Sequence, residues 1–349
     1  MLLEENKPLA PFTTFGIGGP ARWFLAARNE DEIAEAALWA LDRGVPLFVL
    51  GGGSNLLVSD AGFDGLVLQV GLRGVSAIEE SSQRVYRVAA GEGWDTFVER
   101  TVQENCAGIE CLAGIPGTVG GTPVQNVGAY GQEVATSIQR VRTFDLCDHA
   151  FVAFAAAECC FAYRRSRFNS EDRGRYLVTH VEYRLTPGGA PTVRYADLQR
   201  AFPEGSHPTV HEVATAIRRV RQSKGMLLVD GDPDCHSAGS FFKNPVVSEE
   251  QVQHIASVSG AEPPRFPAGP GPENQGRVKV PAAWLIEHAG FAKGYSLGAA
   301  GISSRHTLAL VNRGGATAAE ILALAGRIRS VVESRFMISL EMEPVLVGF

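Results

Sequence analysis

The sequence predicts an α+β protein of two or three packed lobes. At 349 residues the chain is longer than one hydrophobic core usually organises, so more than one lobe is expected. The composition, 45% apolar and 20% charged, is typical of a folded protein. Helical and strand-like apolar patterns follow one another along the chain and are separated by turns, in keeping with the 39 glycines and 19 prolines.

The first predicted elements are a helix, a strand and a glycine loop. Residues 30–43 have apolar side chains at helical spacing, begin with acidic residues and precede Gly44, so they predict an amphipathic helix. Residues 45–50 are a short apolar run of the buried-strand type. The loop 51–55 and an apolar segment at 56–58 follow.

The remaining elements follow the same reasoning. Strands are predicted at 66–70, 85–90, 141–146, 151–154 and 176–185, and helices at 94–104 and 210–221. The Gly- and Asp-rich segment 230–234 is interpreted as a linker near which a second domain begins. That domain is predicted to contain helices at 248–257, 282–288 and 317–336, a loop at 262–276, and strands at 307–312 and 338–347.

Charge and hydropathy exclude several classes of function. The net charge of −6 with scattered basic residues argues against a nucleic-acid partner. The N-terminus lacks the pattern of a signal peptide, and no apolar run approaches membrane-spanning length, so we expect a soluble cytoplasmic protein without a membrane partner.

Cysteine and histidine spacing does not indicate a metal site. The six cysteines form no Cys-x-x-Cys pair and are expected to be reduced, mostly buried thiols. His207 and His211 have the spacing of a helical metal pair, but Pro208 lies between them and no third ligand is near, which favours a solvated helix end. The five arginines of 164–175 are expected to be solvated or paired with Glu171 and Asp172.

Two glycine-rich segments indicate a cofactor site. Three consecutive glycines at 51–53 can direct several N–H groups at one anion, such as a pyrophosphate, although an ordinary turn is the alternative. The segment 114–131 is nearly free of charge and can lie against an extended cofactor, or form a buried structural loop. The chain lacks both GxGxxG and P-loop fingerprints. The joint occurrence of the two segments favours a nucleotide site of another type.

Five motifs together resemble the UDP-N-acetylenolpyruvoylglucosamine reductase (MurB) family, type I. They are TTFGIGG at 13–19, LGGGSN at 50–55, IPGTVGG to NVGAYG at 115–131, AYRRSRF at 162–168 and AGSFFKNP at 238–245. The resemblance implies a two-lobed FAD-binding domain of the PCMH/vanillyl-alcohol-oxidase-like type plus a smaller α+β substrate-binding domain. It implies FAD-binding lobe 1 at 1–70, lobe 2 at 71–218, a substrate-binding domain at 219–336, and a C-terminal strand with the catalytic Glu at 337–349.

The resemblance also implies an activity. Noncovalent FAD is reduced by NADPH and then reduces UDP-N-acetylglucosamine enolpyruvate to UDP-N-acetylmuramate for peptidoglycan synthesis. A small nucleotide-sugar ligand and a monomer are expected, and the choice of NADPH over NADH is left open. The alternatives are another FAD-dependent oxidase or dehydrogenase acting on a hydroxy acid or sugar, and a nonredox nucleotide-sugar-binding module.

The family motifs assign roles to residues of this chain. Ser240 is the implied proton donor and Arg164 the stabiliser of negative charge. Glu343 aligns with the family's catalytic Glu, with Glu341 as the alternative in a predicted strand, and the Arg that usually follows is absent. The implied cofactor-binding residues are Gly51, Gly52, Gly53, Ser54, Asn55, Ile115, Gly117, Gly120, Gly121, Thr122, Asn126, Gly128 and Tyr163. The implied substrate-binding residues are Tyr195, Lys224 and Asn244.

Two neighbouring positions depart from some family members. Arg305 and His306 lie where those members carry Gln. No contact is therefore carried over to either residue.

Overall fold

The computed structural model describes residues 1–269 and 274–349, so residues 270–273 of the predicted loop 262–276 lie outside the described residues. The chain forms two compact units. The first comprises residues 1–7, 21–53 and 63–223, and the second comprises 8–20, 54–62 and 224–349. Each unit has its own hydrophobic core.

The first unit contains a four-stranded sheet and a larger antiparallel sheet. Its elements are β1 (Glu4–Pro8), β2 (Pro20–Ala27), α1 (Glu30–Asp42), β3 (Leu47–Leu50), β5 (Phe63–Val70), β6 (Val75–Glu80), β7 (Gln83–Ala89), α2 (Trp94–Gln103), β8 (Cys106–Ala107), β9 (Gly128–Ala129), β10 (Gln132–Glu133), β11 (Ile138–Asp145), β12 (Ala150–Ala155), β13 (Tyr176–Pro187), α3 (Ala196–Ala201) and α4 (Val210–Ser223). The strand orders are β1-β2-β5-β3, where β5 is parallel to β2 and β3, and β12-β11-β13-β7-β6.

The sequence features predicted for α1 account for its bounds. The Asn29 side chain accepts the N–H of Glu32, and the three acidic residues of the first turn favour the positive end of the helix dipole. The helix buries Ile33 and Ala40 on its apolar face. Gly44, with a φ of 61°, follows as the residue that ends the helix.

Within the described residues, the second unit consists of short strands and three α-helices. Its elements are β4 (Leu56–Val58), β14 (Ser237–Ser240), β15 (Val246–Ser248), α5 (Glu249–Ser259), β16 (Phe266–Pro267), β17 (Arg277–Lys279), α6 (Ala282–His288), β18 (Ser296–Leu297), β19 (Ala300–Ile302), β20 (Ala309–Asn312), α7 (Ala318–Phe336) and β21 (Val345–Val347). The sheets are β14-β20-β19-β18, β15-β17-β16 and β21-β4. A capping box formed by Thr317 and Glu320 begins α7, the helix predicted at 317–336.

Most predicted helices and strands are confirmed within a few residues, and one strand prediction is wrong. The closing strand 338–347 is reduced to β21, preceded by an isolated bridge at Met342. Pro344 has no N–H to donate to a ladder, which explains the interruption. The segment 230–234 has no regular secondary structure and follows the division between the units at 223/224, although Asp234 within it is buried.

Several elements were not predicted. They include β1, β2, β6 and α3. The division of the chain into domains at 70, 218 and 336 stays a prediction; in the structure, 8–20 and 54–62 belong with the C-terminal residues.

Candidate active site

The glycine loop of the first unit packs directly on the second glycine segment. A Cβ on Gly52 would lie 2.5 Å from the Cα of Gly117 and 2.9 Å from the backbone N of Thr118, so only glycine fits there. Gly53 has a φ of 62°. In the described parts of the chain, no group accepts a hydrogen bond from the N–H of Gly52 or Gly53. Successive N–H donors of this kind suit a bound anion.

Backbone hydrogen bonds fix the second glycine segment against the end of β7. Val119 N–H donates to the Glu92 carbonyl at 2.9 Å, and Gly120 N–H donates to Ala90 at 2.8 Å. A Cβ on Gly121 would meet nothing within 4 Å. The segment therefore has a rigid base and an open side on which an elongated ligand can approach the backbone.

Two polar side chains of this segment form hydrogen bonds to other groups of the protein. The Thr122 hydroxyl lies 2.6 Å from the Tyr183 hydroxyl and donates to the Val119 carbonyl. Asn126 donates to Glu133 and to the Ala162 carbonyl, and its Oδ1 accepts the N–H of Ala135. These bonds use the Thr122 hydroxyl and the Asn126 amide within the protein, so the two side chains shape the loop.

Arg164 lies in a tight turn that is attached to the same segment. Ala162 and Arg165 pair through both backbone hydrogen bonds, and Arg164 has a φ of 55°, which is unusual for a residue other than glycine. The Arg164 Nη1 donates to the Gly128 carbonyl at 3.0 Å, and its guanidinium lies over the Tyr163 ring. The turn therefore presents Tyr163 and Arg164 beside the second glycine segment.

Tyr195 contacts this segment through an aromatic pair. Its ring meets Tyr130 edge to face, with centroids 5.2 Å apart, and Tyr195 is 39% exposed. The Tyr130 hydroxyl is hydrogen-bonded to Arg221, whose Nε donates to the Gly114 carbonyl at 3.0 Å. The sequence analysis did not single out Arg221. Its position four residues after Ile217, on the buried face of α4, is a pattern that could have indicated a buried arginine.

Ser240 and Glu343 lie on neighbouring backbone segments of the second unit. Ser240 ends β14, opposite Ala309 of β20, and is half-buried. The Glu343 N–H donates to the Phe241 carbonyl at 2.9 Å, directly beside Ser240. The Asn55 side chain donates to the Glu343 carbonyl at 3.2 Å. Glu341, in contrast, is exposed and pairs with Lys243 at 2.5 Å.

Lys224 and Asn244 also belong to the second unit. Asn244 Oδ1 accepts the Ala282 N–H at 2.9 Å and so fixes the start of α6, which leaves its Nδ2 donors as the part suited to an anion. His306 is affected electrostatically by Lys224 and Lys293. Burial, and then these cations, lower the pKa of His306 from 6.5 to about 4, so it is neutral at neutral pH.

The described residues contain neither a cluster of metal-binding side chains nor a membrane-spanning helix. In residues 1–269 and 274–349, no group of His, Cys, Asp and Glu side chains could hold a metal ion. Within the same ranges, no helix has the length and apolarity needed to cross a membrane. The six cysteines are free thiols, four of them buried, as predicted.

Comparisons with known proteins agree with the geometry of the glycine segments. Residues 21–148 match the family model described as FAD binding domain. The site and this match together define an FAD-binding protein, and the residues present fit the cofactor because close-packed glycines leave N–H donors for its pyrophosphate.

A second family model and two relatives matched over nearly the whole chain identify the family. Residues 232–347 match the C-terminal domain model of UDP-N-acetylenolpyruvoylglucosamine reductase. The chain is 47% identical to that reductase from Thermobifida fusca, over 99% of this chain and 98% of the relative. It is 46% identical to the Streptomyces coelicolor enzyme, over 99% and 90% of the two chains. The chain belongs to the UDP-N-acetylenolpyruvoylglucosamine reductase family.

A solved structure agrees with this assignment. The crystal structure of the reductase from Thermus caldophilus superposes with a TM-score of 0.68 at 26% identity, covering 99% of this chain and 100% of that one. The predicted fold class, an FAD-binding domain with a second α+β domain, is confirmed.

Proposed function

We propose that this chain catalyses the FAD-dependent reduction of UDP-N-acetylglucosamine enolpyruvate to UDP-N-acetylmuramate with NADPH, in peptidoglycan precursor synthesis. Family membership supports the reaction. The observation that carries the site is the backbone bond from Glu343 to Phe241, because it holds the backbone of Glu343 against the residue that follows Ser240.

The chemistry requires charge stabilisation and a proton. When bound, FAD supplies the hydride that NADPH has given it. As the hydride reaches the enolpyruvyl β-carbon, negative charge grows on the α-carbon and carboxylate, and a proton must then reach the α-carbon. We assign the proton to the Ser240 hydroxyl and stabilisation of the charge to Arg164.

Glu343 is preferred over Glu341 as the catalytic carboxylate. Glu341 is exposed and forms an ion pair with Lys243, whereas Glu343 is half-buried and lies beside the residue that follows Ser240. A carboxyl group in that position can hydrogen-bond the substrate carboxylate or its enol form. The Glu341 alternative thereby loses support.

We assign cofactor and substrate contacts by the family motifs and by the packing. The residues proposed to contact FAD are Gly51, Gly52, Gly53, Ser54, Asn55, Ile115, Gly117, Gly120, Gly121, Thr122, Asn126, Gly128 and Tyr163. Thr122 and Asn126 are proposed to act by shaping the loop, since their side chains bond within the protein. Tyr195, Lys224 and Asn244 are proposed to bind the diphosphate, because a cation and neutral donors suit phosphate oxygens.

The cellular context follows from the proposed reaction. We propose a monomer that works in the cytoplasm on a soluble nucleotide sugar and does not bind nucleic acid or membranes. Scattered basic residues and a net charge of −6 support the absence of a nucleic-acid partner.

Anaerobic spectroscopy tests the proposal. The purified protein should absorb at about 450 nm, as oxidised flavins do, and lose this band on addition of NADPH. The band should return when UDP-N-acetylglucosamine enolpyruvate is added. Bleaching without recovery would retain a flavoenzyme and favour an oxidase or dehydrogenase of a hydroxy acid or sugar. A flavin that NADPH cannot reduce would favour a nonredox binding module.

A further inference from the structure

A partly buried charge cluster in the second unit joins the segment after Lys224 to the loop before β20. Arg305 Nη2 hydrogen-bonds both carboxylate oxygens of Asp232, and its Nε donates to Asp234 Oδ2 at 3.0 Å. We call Arg305, Asp232 and Asp234 the acid–arginine clamp. The Asp234 side chain is only 2% exposed, whereas those of Asp232 and Arg305 are 16% and 29% exposed, so the clamp reaches from the interior of the unit to its surface.

The carboxylates of the clamp are ionised and well satisfied. Asp234 accepts the N–H of Ser304 at 3.1 Å and its hydroxyl at 2.7 Å. Burial raises the pKa of Asp234, but these bonds and Arg305 outweigh it, so the pKa lies below its usual value. The hydrogen bond to Arg305 likewise lowers the pKa of Asp232. Two negative charges therefore surround one guanidinium.

This balance makes Arg305 unsuited to bind a diphosphate directly. The clamp as a whole carries an excess of one negative charge, which repels an anionic ligand. Its donors at Nε and Nη2 are already used by carboxylates. The geometry of Arg305 therefore supports a role in orienting other residues.

The clamp is packed against the backbone that carries Lys224. Gly225 has a φ of 65°, and a Cβ there would lie 3.0 Å from Arg305 Nε and 3.1 Å from Asp234 Cβ. The next turn is held too, because Cys235 Sγ donates to the Leu227 carbonyl at 3.0 Å. A lysine is a point charge on a flexible stem, so the position of its backbone decides where its ammonium group can reach.

We propose that Arg305 is a positioning residue. It does not contact the nucleotide diphosphate, and it supports diphosphate binding by Lys224 because it holds the backbone of 224–235 in place. The proposal rests on the assignment of Lys224 to the diphosphate under the proposed function. The positioning role predicts that Asp232→Asn weakens diphosphate binding. If only the charge of Asp232 mattered, the same substitution would strengthen binding, because it removes a negative charge that repels the diphosphate.

A double-mutant cycle tests this on the FAD-loaded full chain, with UDP-N-acetylmuramate binding measured by calorimetry. Each of the single variants should weaken binding about tenfold: Arg305→Gln, Asp232→Asn and Lys224→Ala. In a protein that already carries Lys224→Ala, adding Arg305→Gln or Asp232→Asn should weaken binding by no more than about a further twofold. Arg265→Gln is the control, because it removes exposed ion pairs with Glu249 and Glu262 in the same unit. It should leave the affinity unchanged.

The outcomes separate the two proposals. If the unsubstituted protein binds UDP-N-acetylmuramate but the effects of Arg305→Gln and Lys224→Ala multiply, Arg305 acts independently and the positioning role is overturned. Tighter binding by Asp232→Asn would overturn it as well. If Arg305→Gln does not fold, the Asp232→Asn pair of the cycle decides. Failure of the unsubstituted protein to bind would overturn the proposed function and, with it, the role of Lys224.

Discussion

The backbone N–H of Glu343 donates to the carbonyl of Phe241 at 2.9 Å, and this single bond sets the register between the C-terminal segment and the serine motif. The neighbouring bond, from Lys243 N–H to the Glu341 carbonyl, has the same length and continues the register. The backbone of Glu343 therefore lies opposite Phe241, the residue after Ser240, while the backbone of Glu341 lies opposite Lys243. The two acids consequently have different expected roles.

Replacement of either acid tests this difference. Glu343→Gln should slow reoxidation of the reduced flavin by the enolpyruvyl substrate by about a hundredfold, as expected when a group that stabilises developing charge is lost. Glu341→Gln is the matched control and should change the rate by less than about twofold. Stopped-flow absorbance measures both. The opposite ranking of the two variants would exchange their assignments.

Removal of the Ser240 hydroxyl should affect only one half-reaction. Ser240→Ala is expected to leave bleaching by NADPH fast and to slow oxidation by substrate about a hundredfold or more, because no proton then reaches the α-carbon. Ser257→Ala, at an exposed position of α5, serves as control. Equal slowing of both half-reactions would refute the proton-donor role.

Two glycines test the cofactor site in different ways. Gly52→Ala should destabilise the protein by about 1–3 kcal/mol and release FAD, because its Cβ would lie 2.5 Å from Gly117. Gly121→Ala meets no protein atom within 4 Å, so it should leave the free energy of unfolding of the cofactor-free protein nearly unchanged and weaken FAD binding. Denaturation and fluorescence titration with FAD measure the two effects.

A helix glycine provides the control for these substitutions. Gly326 lies inside α7, and a Cβ there would meet nothing within 4 Å. Gly326→Ala should stabilise the protein by about 0.5–1 kcal/mol without changing FAD affinity. Unchanged FAD affinity in Gly121→Ala would show that the open side of that glycine is not part of the cofactor site.

Tyr195 should contribute through its hydroxyl as well as its ring. Tyr195→Phe keeps the edge-to-face contact with Tyr130 and removes the phenol, so KM for the nucleotide sugar should rise about tenfold with little change in kcat. Tyr195→Ala should have a larger effect. Tyr295→Phe, in the second unit, is the control. A KM unchanged in Tyr195→Phe would remove Tyr195 from the diphosphate site.

His306 should make the stability depend on pH. Folding lowers its pKa from 6.5 to about 4, so acid favours the unfolded chain, which binds the proton more tightly. Its contribution is complete above pH 6.5 and is lost as the pH falls towards about 4, a change of about 3 kcal/mol. Lys224, Lys293 and Glu287 also act on this group.

Urea unfolding across that range tests the assignment. His306→Gln should flatten the dependence of unfolding free energy on pH between about 4 and 6.5 relative to the unsubstituted protein. His211→Gln, on the exposed side of α4, should not. If the two variants have the same slope, the pH dependence arises from other groups.

Patterns of near neighbours in the sequence determined much of this protein. Helices α1 and α7 follow from apolar spacing, acidic first turns and capping residues, because helices are stabilised by contacts between residues three and four apart. The glycine segments and the serine motif were likewise recognisable from short runs of residues. These features led to the fold class and to the reductase family.

The tertiary structure alone decided features that depend on partners far away in the chain. The acidic segment at 230–234 has no regular secondary structure, yet Arg305, which lies 73 residues after Asp232, binds both Asp232 and Asp234 and attaches the segment to the loop before β20. The proposed preference for Glu343 over Glu341 likewise rests on which residue of 241–243 each one is hydrogen-bonded to. Alternation along a strand gives both acids the same face, and only the long-range hydrogen bonds, with Pro344 ending the pairing, distinguish them.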